Sequence, residues 1–304
     1  RIAFRDLYEK LANDMPDCIV HCGDLAHTKT QLSPEYFQLC AEFLASLANI
    51  APTYVILGNH DGNLKNDSRQ DAVTPIINAL KHPNLHLLKN SGETIVNGGL
   101  VLNVLSVFDR DNWIKPTDES KINVALYHGA IAGSLTGANW TMDQGDDNAD
   151  IFRDFDFAML GDIHRQQQLD PEGRVWYCGS TVQQKFSESP LKGYLLWEID
   201  SKDKFKVIKR HISNPRPFIT VRLNANGSLP ETHVQKGARL RIVSKTNLPS
   251  DKLRKARSLA EMQWRPYSVT VLNGKESSNM YDDGNYANSI LSENLRDISV
   301  QEKY

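Results

Sequence analysis

Four short hydrophobic runs in this chain are each followed directly by residue types that bind metals, and this pattern strongly limits the fold. The runs cover residues 18–20, 54–57, 124–126 and 157–160, and each is typical of a buried strand. The blocks that follow them are His21-Cys22-Gly23-Asp24, Gly58-Asn59-His60-Asp61, Tyr127-His128-Gly129 and Gly161-Asp162-Ile163-His164. Because parallel strands end at one edge of a sheet, we expect these side chains to converge in one crevice of an α/β fold.

The side chains in these blocks form a mixed oxygen and nitrogen ligand set. A set of Asp, Asn and His side chains suits Mn²⁺, Fe²⁺ or Zn²⁺. It is not typical of an all-oxygen calcium site or of a thiolate zinc site. A lone Gly-Asp or His-Gly is more often a turn with a satisfied side chain, so the prediction depends on all the blocks together. The candidate metal ligands are Asp24, Asn59, His128, Asp162 and His164.

A fifth block and its surroundings carry a resemblance to a known family. Tyr177-Cys178-Gly179-Ser180 leads to Val182-Gln183-Gln184-Lys185-Phe186-Ser187-Glu188 and then to Lys192-Gly193-Tyr194. With the four blocks above, these motifs resemble the calcineurin-like metallophosphoesterase superfamily. More narrowly, they resemble the SbcD-type DNA double-strand-break repair nucleases of bacteria and phages. The resemblance implies an α/β sandwich of two β-sheets flanked by helices, followed by a small α+β capping module that binds DNA.

The resemblance also implies roles for individual residues. Two divalent ions are expected, with Mn²⁺ favoured and Mg²⁺ as the alternative; two such ions activate a water and clamp the oxygens of a phosphoryl displacement. Asp24 would bridge the two ions and His164 would serve the first. The second ion would be held by Asn59, His128 and Asp162. His60 would assist the departing oxygen, and Asp61 would orient His60.

At the level of function, the resemblance implies a metal-dependent DNA nuclease. Such a nuclease acts as an exonuclease on duplex ends and as an endonuclease on single strands. It would form a homodimer and work with an SbcC-type ATPase in DNA repair and recombination. Two alternatives stay open at this point: a phosphoesterase acting on a small cyclic nucleotide or a phosphoprotein, and a catalytically silent DNA-binding subunit.

The chain departs from the family pattern in two places. The family opens with a strand ending in Asp-x-His, whereas Asp6 and Asp14 lie in a segment predicted to be helical. We therefore expect an N-terminal strand with this motif to precede the present sequence. Many relatives also have Gly-His-x-His where this chain has Asp162, and a carboxylate is an anionic and harder ligand than imidazole.

Charge divides the chain into regions. Residues 1–200 carry a net charge of −11, residues 201–273 carry +12, and the last 31 residues carry −3. We expect a nuclease domain over 1–213, a basic DNA-binding capping module over 214–273, and a linker or partner-binding tail over 274–304. A basic module beside an acidic domain indicates a polyanionic partner, although a solvated charged face is the ordinary alternative. The candidate DNA-contacting residues are Arg254, Lys255 and Arg257.

The remaining patterns concern the helices, the cysteines and the location. Hydrophobic spacing and turn residues predict helices over residues 1–13, 34–48, 70–81 and 251–262, with Ser33 and Pro34 starting the second. Four cysteines in a chain of 304 residues are expected to be reduced thiols. No membrane span is predicted, and a cytoplasmic protein is expected.

Overall fold

The computed structural model describes residues 2–27, 32–66, 69–96, 99–136 and 140–274. The helices are α1 (Ile2–Asp14), α2 (Pro34–Ile50), α3 (Thr74–Leu80) and α4 (Ser250–Trp264). The first strands are β1 (Ile19–His21), β2 (Thr53–Ile56), β3 (Leu85–Leu88), β4 (Gly92–Val96), β5 (Leu100–Leu105), β6 (Ile122–His128) and β7 (Phe157–Gly161). The others are β8 (Gln167–Gln168), β9 (Val175–Tyr177), β10 (Lys192–Ile199), β11 (Phe205–Ile212), β12 (Phe218–Arg222), β13 (Arg239–Val243) and β14 (Ser268–Leu272).

Two compact units make up the chain. The first contains Arg1–Val182 and Leu191–Ser213, and the second contains Gln183–Pro190 together with the chain from Asn214 onward. The division after Ser213 coincides with the proline-rich stretch from Asn214 to Pro217. The short segment Gln183–Pro190 belongs to the second unit, which the sequence did not indicate. Apart from Gly274, the expected tail over 274–304 lies outside the described residues.

In the first unit, two sheets pack face to face. A parallel sheet has the order β1-β2-β3, and a six-stranded mixed sheet has the order β4-β5-β6-β7-β9-β8. Because side chains alternate along a strand, Tyr54 and Ile56 of β2 face the second sheet, where they share a core with Val124, Leu126 and Phe157. The predicted sandwich of two β-sheets is therefore confirmed.

Helices cover the outer face of the smaller sheet. Val55 of β2 points away from the sandwich interior, into a core formed with residues of α1, α2 and α3. Helix α2 begins as predicted, because the Ser33 side chain accepts a hydrogen bond from the Tyr36 backbone N–H at 3.2 Å. The outer face of the larger sheet packs instead on loops and on a short 3-10 helix, Ala149–Phe152.

The second unit is a small α/β layer built on its own core. Strands β12, β13 and β14 are parallel and lie in that order, and α4 connects β13 to β14. Ala256, Ala260 and Trp264 of α4 pack on alternate residues of the sheet, among them Leu240 and Ile242.

Two further features of the structure are the state of the cysteines and the length of the apolar helices. All four cysteines are free thiols, as predicted. No helix among the described residues is both long enough and apolar enough to cross a lipid bilayer.

Candidate metal centre

Three candidate ligands from three separate strand ends meet at one point. Asp24 follows β1, His128 ends β6, and Asp162 follows β7. One ligand atom from each of the three lies within 4.8 Å of the others. The Nε2 atom of His128 is 3.3 Å from Oδ2 of Asp24 and 3.8 Å from Oδ1 of Asp162. The sequence blocks therefore converge, although Asp24 comes from the smaller sheet and His128 and Asp162 come from the larger one.

The imidazole of His128 is held in an orientation suited to ligation. Its Nδ1 atom lies 2.6 Å from the backbone carbonyl oxygen of Cys22, so Nδ1 carries the hydrogen and donates it. Nε2 is buried and has no hydrogen-bond partner. Burial alone would lower the pKa of His128, but the carboxylates of Asp24 and Asp162 outweigh it and raise the pKa to about 9. This environment stabilises a cation at Nε2.

Asn59 supplies a second unpartnered atom beside this cluster. Its side-chain oxygen is buried without a hydrogen-bond partner. A buried polar atom without a hydrogen bond lowers the stability of the fold by about 1–3 kcal/mol. The preceding residue, Gly58, is so close to Asp24 that an added Cβ would collide with the Asp24 carboxylate. The two orphaned atoms and the two carboxylates thus form the kind of donor set that a divalent cation satisfies, so the residues present fit a metal.

Backbone geometry at the two carboxylates is unusual. Asp24 has φ 59° and Asp162 has φ 88°, in the left-handed region that few residues other than glycine adopt. Gly161 packs closely against Cys22 and His128. A Cβ at this position would collide with the Cys22 carbonyl and lie 2.6 Å from Nδ1 of His128. Strained backbone of this kind persists where surrounding contacts impose it, and it is common at functional sites.

Asp61 does not have the position that the sequence predicted for it. Its carboxylate accepts hydrogen bonds from three backbone N–H groups, those of Asp24 and Ala26 at 2.8 Å and that of Gly58 at 2.9 Å. Burial raises the pKa of Asp61 to about 6, and the three donors partly offset this rise. The interpretation that Asp61 orients His60 is therefore wrong. Asp61 fixes the loop that carries Asp24 and joins it to the loop after β2.

His60 is exposed and is oriented by another group. Its Nδ1 atom lies 2.7 Å from the backbone carbonyl oxygen of His27, and the two imidazole rings stack with centroids 5.8 Å apart. Its backbone N–H donates to Oδ1 of Asp24 at 3.0 Å. Because a carbonyl only accepts hydrogen bonds, Nδ1 is the protonated nitrogen. Nε2 is then the ring atom available to a substrate oxygen.

The sequence was compared with known proteins. Residues 1–166 match the family described as calcineurin-like phosphoesterase. The chain belongs to this family. It is 36% identical over 238 residues to protein R555 of Acanthamoeba polyphaga mimivirus, covering 74% of this chain and 17% of that protein. It is 27% identical over 238 residues to the DNA double-strand break repair protein Mre11 of Haloferax volcanii, covering 74% of this chain and 50% of that protein.

A third relative is also viral. Protein 244L of Invertebrate iridescent virus 6, whose name proposes a phosphoesterase, is 26% identical over 200 residues, which cover 62% of this chain and 66% of that protein. The chain thus spans between about a sixth and two thirds of the length of these relatives. Calcineurin-like phosphoesterases are hydrolases that use divalent metals, and the Asp24, His128 and Asp162 cluster, whose residues could hold a metal ion, lies within the matched range.

His164 lies at the edge of this phosphoesterase site. It is two residues beyond Asp162 but is not one of the three residues whose ligand atoms meet. Burial raises the pKa of the Asp162 carboxyl, and the positive charge of protonated His164 offsets a small part of this rise. The structure therefore places His164 close to the cluster but not among the three residues whose ligand atoms meet.

Lys192 is a buried cation that sequence reasoning missed. Its Nζ atom donates at 2.8 Å to the backbone oxygen of His164 and at 2.8 Å to the hydroxyl of Ser180. The residue is only 5% exposed, and few lysines are buried so completely. Lys192 thus links the loop after β7 to the loop after β9. The motif Lys192-Gly193-Tyr194 is part of the family resemblance, but it indicates neither the burial of the lysine nor its partners.

The predicted DNA-contacting residues lie on the exposed side of α4, in the second unit. Arg254, Lys255 and Arg257 are all exposed. The side chain of Arg257 forms an ion pair with Glu261 at 2.8 Å, one turn further along the helix. An exposed pair of this kind contributes little to stability.

Proposed function

We propose that this phosphoesterase is a metal-dependent DNA nuclease, the nuclease subunit of an SbcCD-type repair and recombination complex. It acts as an exonuclease on duplex ends and as an endonuclease on single strands. The observation that carries the hydrolytic part is the cluster of Asp24, His128 and Asp162 with its unpartnered buried Nε2 atom. The preference for DNA is supported by the charge of the C-terminal region and by similarity to a DNA double-strand break repair protein.

Within this proposal the residues of the site have separate tasks. Asp24, Asn59, His128, Asp162 and His164 would hold two divalent ions, with Mn²⁺ preferred. Such ions would supply an activated water and neutralise charge on the phosphate. The backbone carbonyl of Cys22 keeps Nε2 of His128 directed at the ligand cluster. Asp61 keeps Asp24 in its left-handed conformation through the Asp24 backbone N–H.

His60 is the residue proposed to contact the departing oxygen. Its Nδ1–H is bonded to the carbonyl of His27, and this contact fixes the ring while Nε2 is left for the substrate. A protonated imidazole can donate its Nε2 proton to the leaving oxygen, which is general acid catalysis. The backbone N–H of His60 bonds to Asp24, so the loop that carries the acid is tied to a metal ligand.

DNA is proposed to contact the basic C-terminal unit. Within it, residues 214–273 carry 11 Lys and Arg against 3 Asp and Glu, a net charge of +8, which favours a polyanion whose condensed counterions are released on binding. Arg254, Lys255 and Arg257 on the exposed side of α4 are the proposed contacts. We further propose, from the resemblance alone, that the protein is a homodimer and that its partner is an SbcC-type ATPase, and, from its reduced cysteines, that it acts in the cytoplasm.

A cleavage assay tests this function. The protein is incubated with Mn²⁺ and linear duplex, closed circular duplex or single-stranded DNA, and a chromogenic small phosphodiester is assayed in parallel. We expect digestion of the linear duplex and cutting of the single strand, with loss of both in Asp24→Asn and His128→Gln. A matched control is Asp170→Asn, which removes one carboxylate charge outside the cluster.

Each alternative predicts a different pattern in this assay. Hydrolysis of the small diester without cleavage of any DNA would favour a phosphoesterase for small substrates. Binding of DNA without hydrolysis of either substrate would favour a silent DNA-binding subunit. Dependence on salt provides a further check: with about five phosphate contacts, log affinity for duplex DNA falls with log salt at a slope of about −4 to −5.

A further inference from the structure

The sheet of the second unit has one face that α4 does not cover. Alternate residues of β12, β13 and β14 form the core with α4, including Val221, Leu240 and Val271. Side chains alternate along each strand, so the residues between them point to the opposite face. The register places three of these in one row, Phe218, Arg239 and Ser268.

Arginine and aromatic side chains form a continuous ladder along this face and its edge. At one end, the guanidinium of Arg241 lies 4.5 Å from the ring centroid of Phe186, which is 5.0 Å from that of Phe218. Arg239 follows, 4.7 Å from the Phe218 ring and 5.8 Å from the Tyr267 ring. At the other end, the guanidinium of Arg216 lies 4.0 Å from the Tyr267 centroid.

The inner end of the ladder has a structural explanation. Phe186 belongs to the segment Gln183–Pro190, and Gln183 fastens that segment to β12. The Gln183 side chain accepts the backbone N–H of Phe218 at 2.9 Å and donates to the backbone oxygen of Phe218 at 3.1 Å. The rings of Phe186 and Phe218 therefore serve to attach the segment to the sheet.

The outer end has no such explanation. Tyr267 is 58% exposed although its ring is large and apolar, and Arg216 is also exposed. Arg239 donates to the backbone oxygen of Arg216 at 3.0 Å, which holds the two side chains together. Among the residues that the structure describes, no carboxylate is within ion-pair distance of either guanidinium. Two positive charges and an exposed ring are thus arranged side by side, and among the described residues no carboxylate pairs with either charge.

We propose that Arg216, Arg239 and Tyr267 bind a single-stranded segment of DNA. Guanidinium N–H groups bond to phosphate oxygens, while the exposed face of the ring or of a guanidinium plane stacks on a base. Base pairing hides the faces of bases inside a duplex, so a stacking surface selects unpaired nucleotides. This site deepens the proposed function, on which it rests: the unpaired strand contacts the sheet face, and duplex DNA contacts α4.

Binding of a short fluorescent oligonucleotide tests the proposal. The full chain is titrated against a single strand of about 12 nucleotides and against a hairpin duplex, in EDTA so that no cleavage occurs. Tyr267→Ala is expected to weaken single-strand binding by roughly 5- to 150-fold, the range for loss of one stacked base. Tyr267→Phe retains the ring and is expected to bind as the wild type does.

Charge is tested with two matched double variants. Arg216→Gln with Arg239→Gln removes two charges from the sheet face, and Arg254→Gln with Lys255→Gln removes two from α4. The first pair is expected to reduce the steepness of the salt dependence for the single strand by about 1.4, since each phosphate contact contributes about 0.7. The second pair is expected to affect the duplex more than the single strand.

The outcomes distinguish this proposal from the nuclease proposal. The single-strand site is overturned if folded Tyr267→Ala and the folded double variant of Arg216 and Arg239 bind the single strand as well as the wild type does. It is also overturned if they weaken only duplex binding, or if the wild type binds no single strand. If Tyr267→Ala fails to fold, the double variant of Arg216 and Arg239 still decides. Absence of cleavage by the wild type with Mn²⁺ would contradict the nuclease proposal alone.

Discussion

Replacing Asp61 by Asn is expected to destabilise the metal centre although the residue binds no metal in the proposed ligand set. Oδ2 of Asp61 accepts the N–H groups of Asp24 and Gly58, and Oδ1 accepts that of Ala26. An Asn oxygen can retain the first two bonds in weaker, neutral form. Its NH₂ group would then face the N–H of Ala26, and two donors cannot bond to each other.

The size of the effect follows from these three contacts. A hydrogen bond to a charged acceptor contributes about 1.5–3 kcal/mol, and a buried N–H without an acceptor costs about 1–3 kcal/mol. Removing the buried charge of Asp61 offsets part of this loss. We expect a decrease of about 2 kcal/mol in the free energy of unfolding for Asp61→Asn, and about 3–5 kcal/mol for Asp61→Ala, which loses all three bonds.

Two measurements check this prediction. Urea unfolding followed by circular dichroism, in EDTA, gives the stability of the metal-free protein. Elemental analysis after equilibration with Mn²⁺ gives metal content, and affinity is expected to fall by about 10- to 100-fold as Asp24 becomes less well positioned. His60→Ala is the control, because this exposed side chain should change stability by less than about 0.5 kcal/mol. The reasoning is refuted if Asp61→Asn is as stable as the wild type and binds as much metal.

Three further predictions concern other residues. His60→Ala should retain bound metal while cleavage falls by roughly 10²- to 10⁴-fold; loss of metal in elemental analysis would instead make His60 a ligand. Asp162→His should shift metal preference from Mn²⁺ towards Zn²⁺ in competition assays, because imidazole is a softer ligand and His tolerates the φ of 88° at this position. Burial alone would raise the pKa of Asp14, but the hydroxyl of Tyr194 and the guanidinium of Arg210 outweigh it and lower the pKa. This stabilisation is present above the unfolded pKa and is lost as pH falls through the folded pKa, so Asp14→Asn should destabilise the protein at pH 7, and the difference from the wild type should begin to shrink only below about pH 4; a difference that already vanishes well above pH 4 would contradict it.

The core of the fold was predictable because β2 and β6 are buried on both faces along nearly their whole length. Such strands are uninterrupted hydrophobic runs, and the polar residues that follow them mark the edge where the site forms. His21 ends strand β1, and its ring lies edge-on to that of Phe43 with centroids 5.8 Å apart; burial lowers its pKa to about 4.

Other features were not predictable because they depend on contacts between distant parts of the chain. The bonds of Asp61 reach Asp24, 37 residues away, and a sequence motif shows only the adjacent His60. The third helix was expected from residue 70 but begins at Thr74. The side chain of Asp71 bonds to the backbone N–H groups of Val73 and Thr74 and so keeps the preceding turn out of the helix. Lys192 is buried for a similar reason, since its partners are loops brought together by the sheet.

The placement of Gln183–Pro190 has a consequence for how this protein can be divided or inherited. The second unit takes one piece of chain from before β10 and the rest from after β11. A truncation after Ser213 would remove β12 and leave Gln183 and Phe186 without their partners. No single cut separates the two units cleanly, because a chain that ends at Ser213 retains Gln183–Pro190 of the second unit. We therefore expect the two units to have been gained, lost or exchanged together during evolution, and not one at a time.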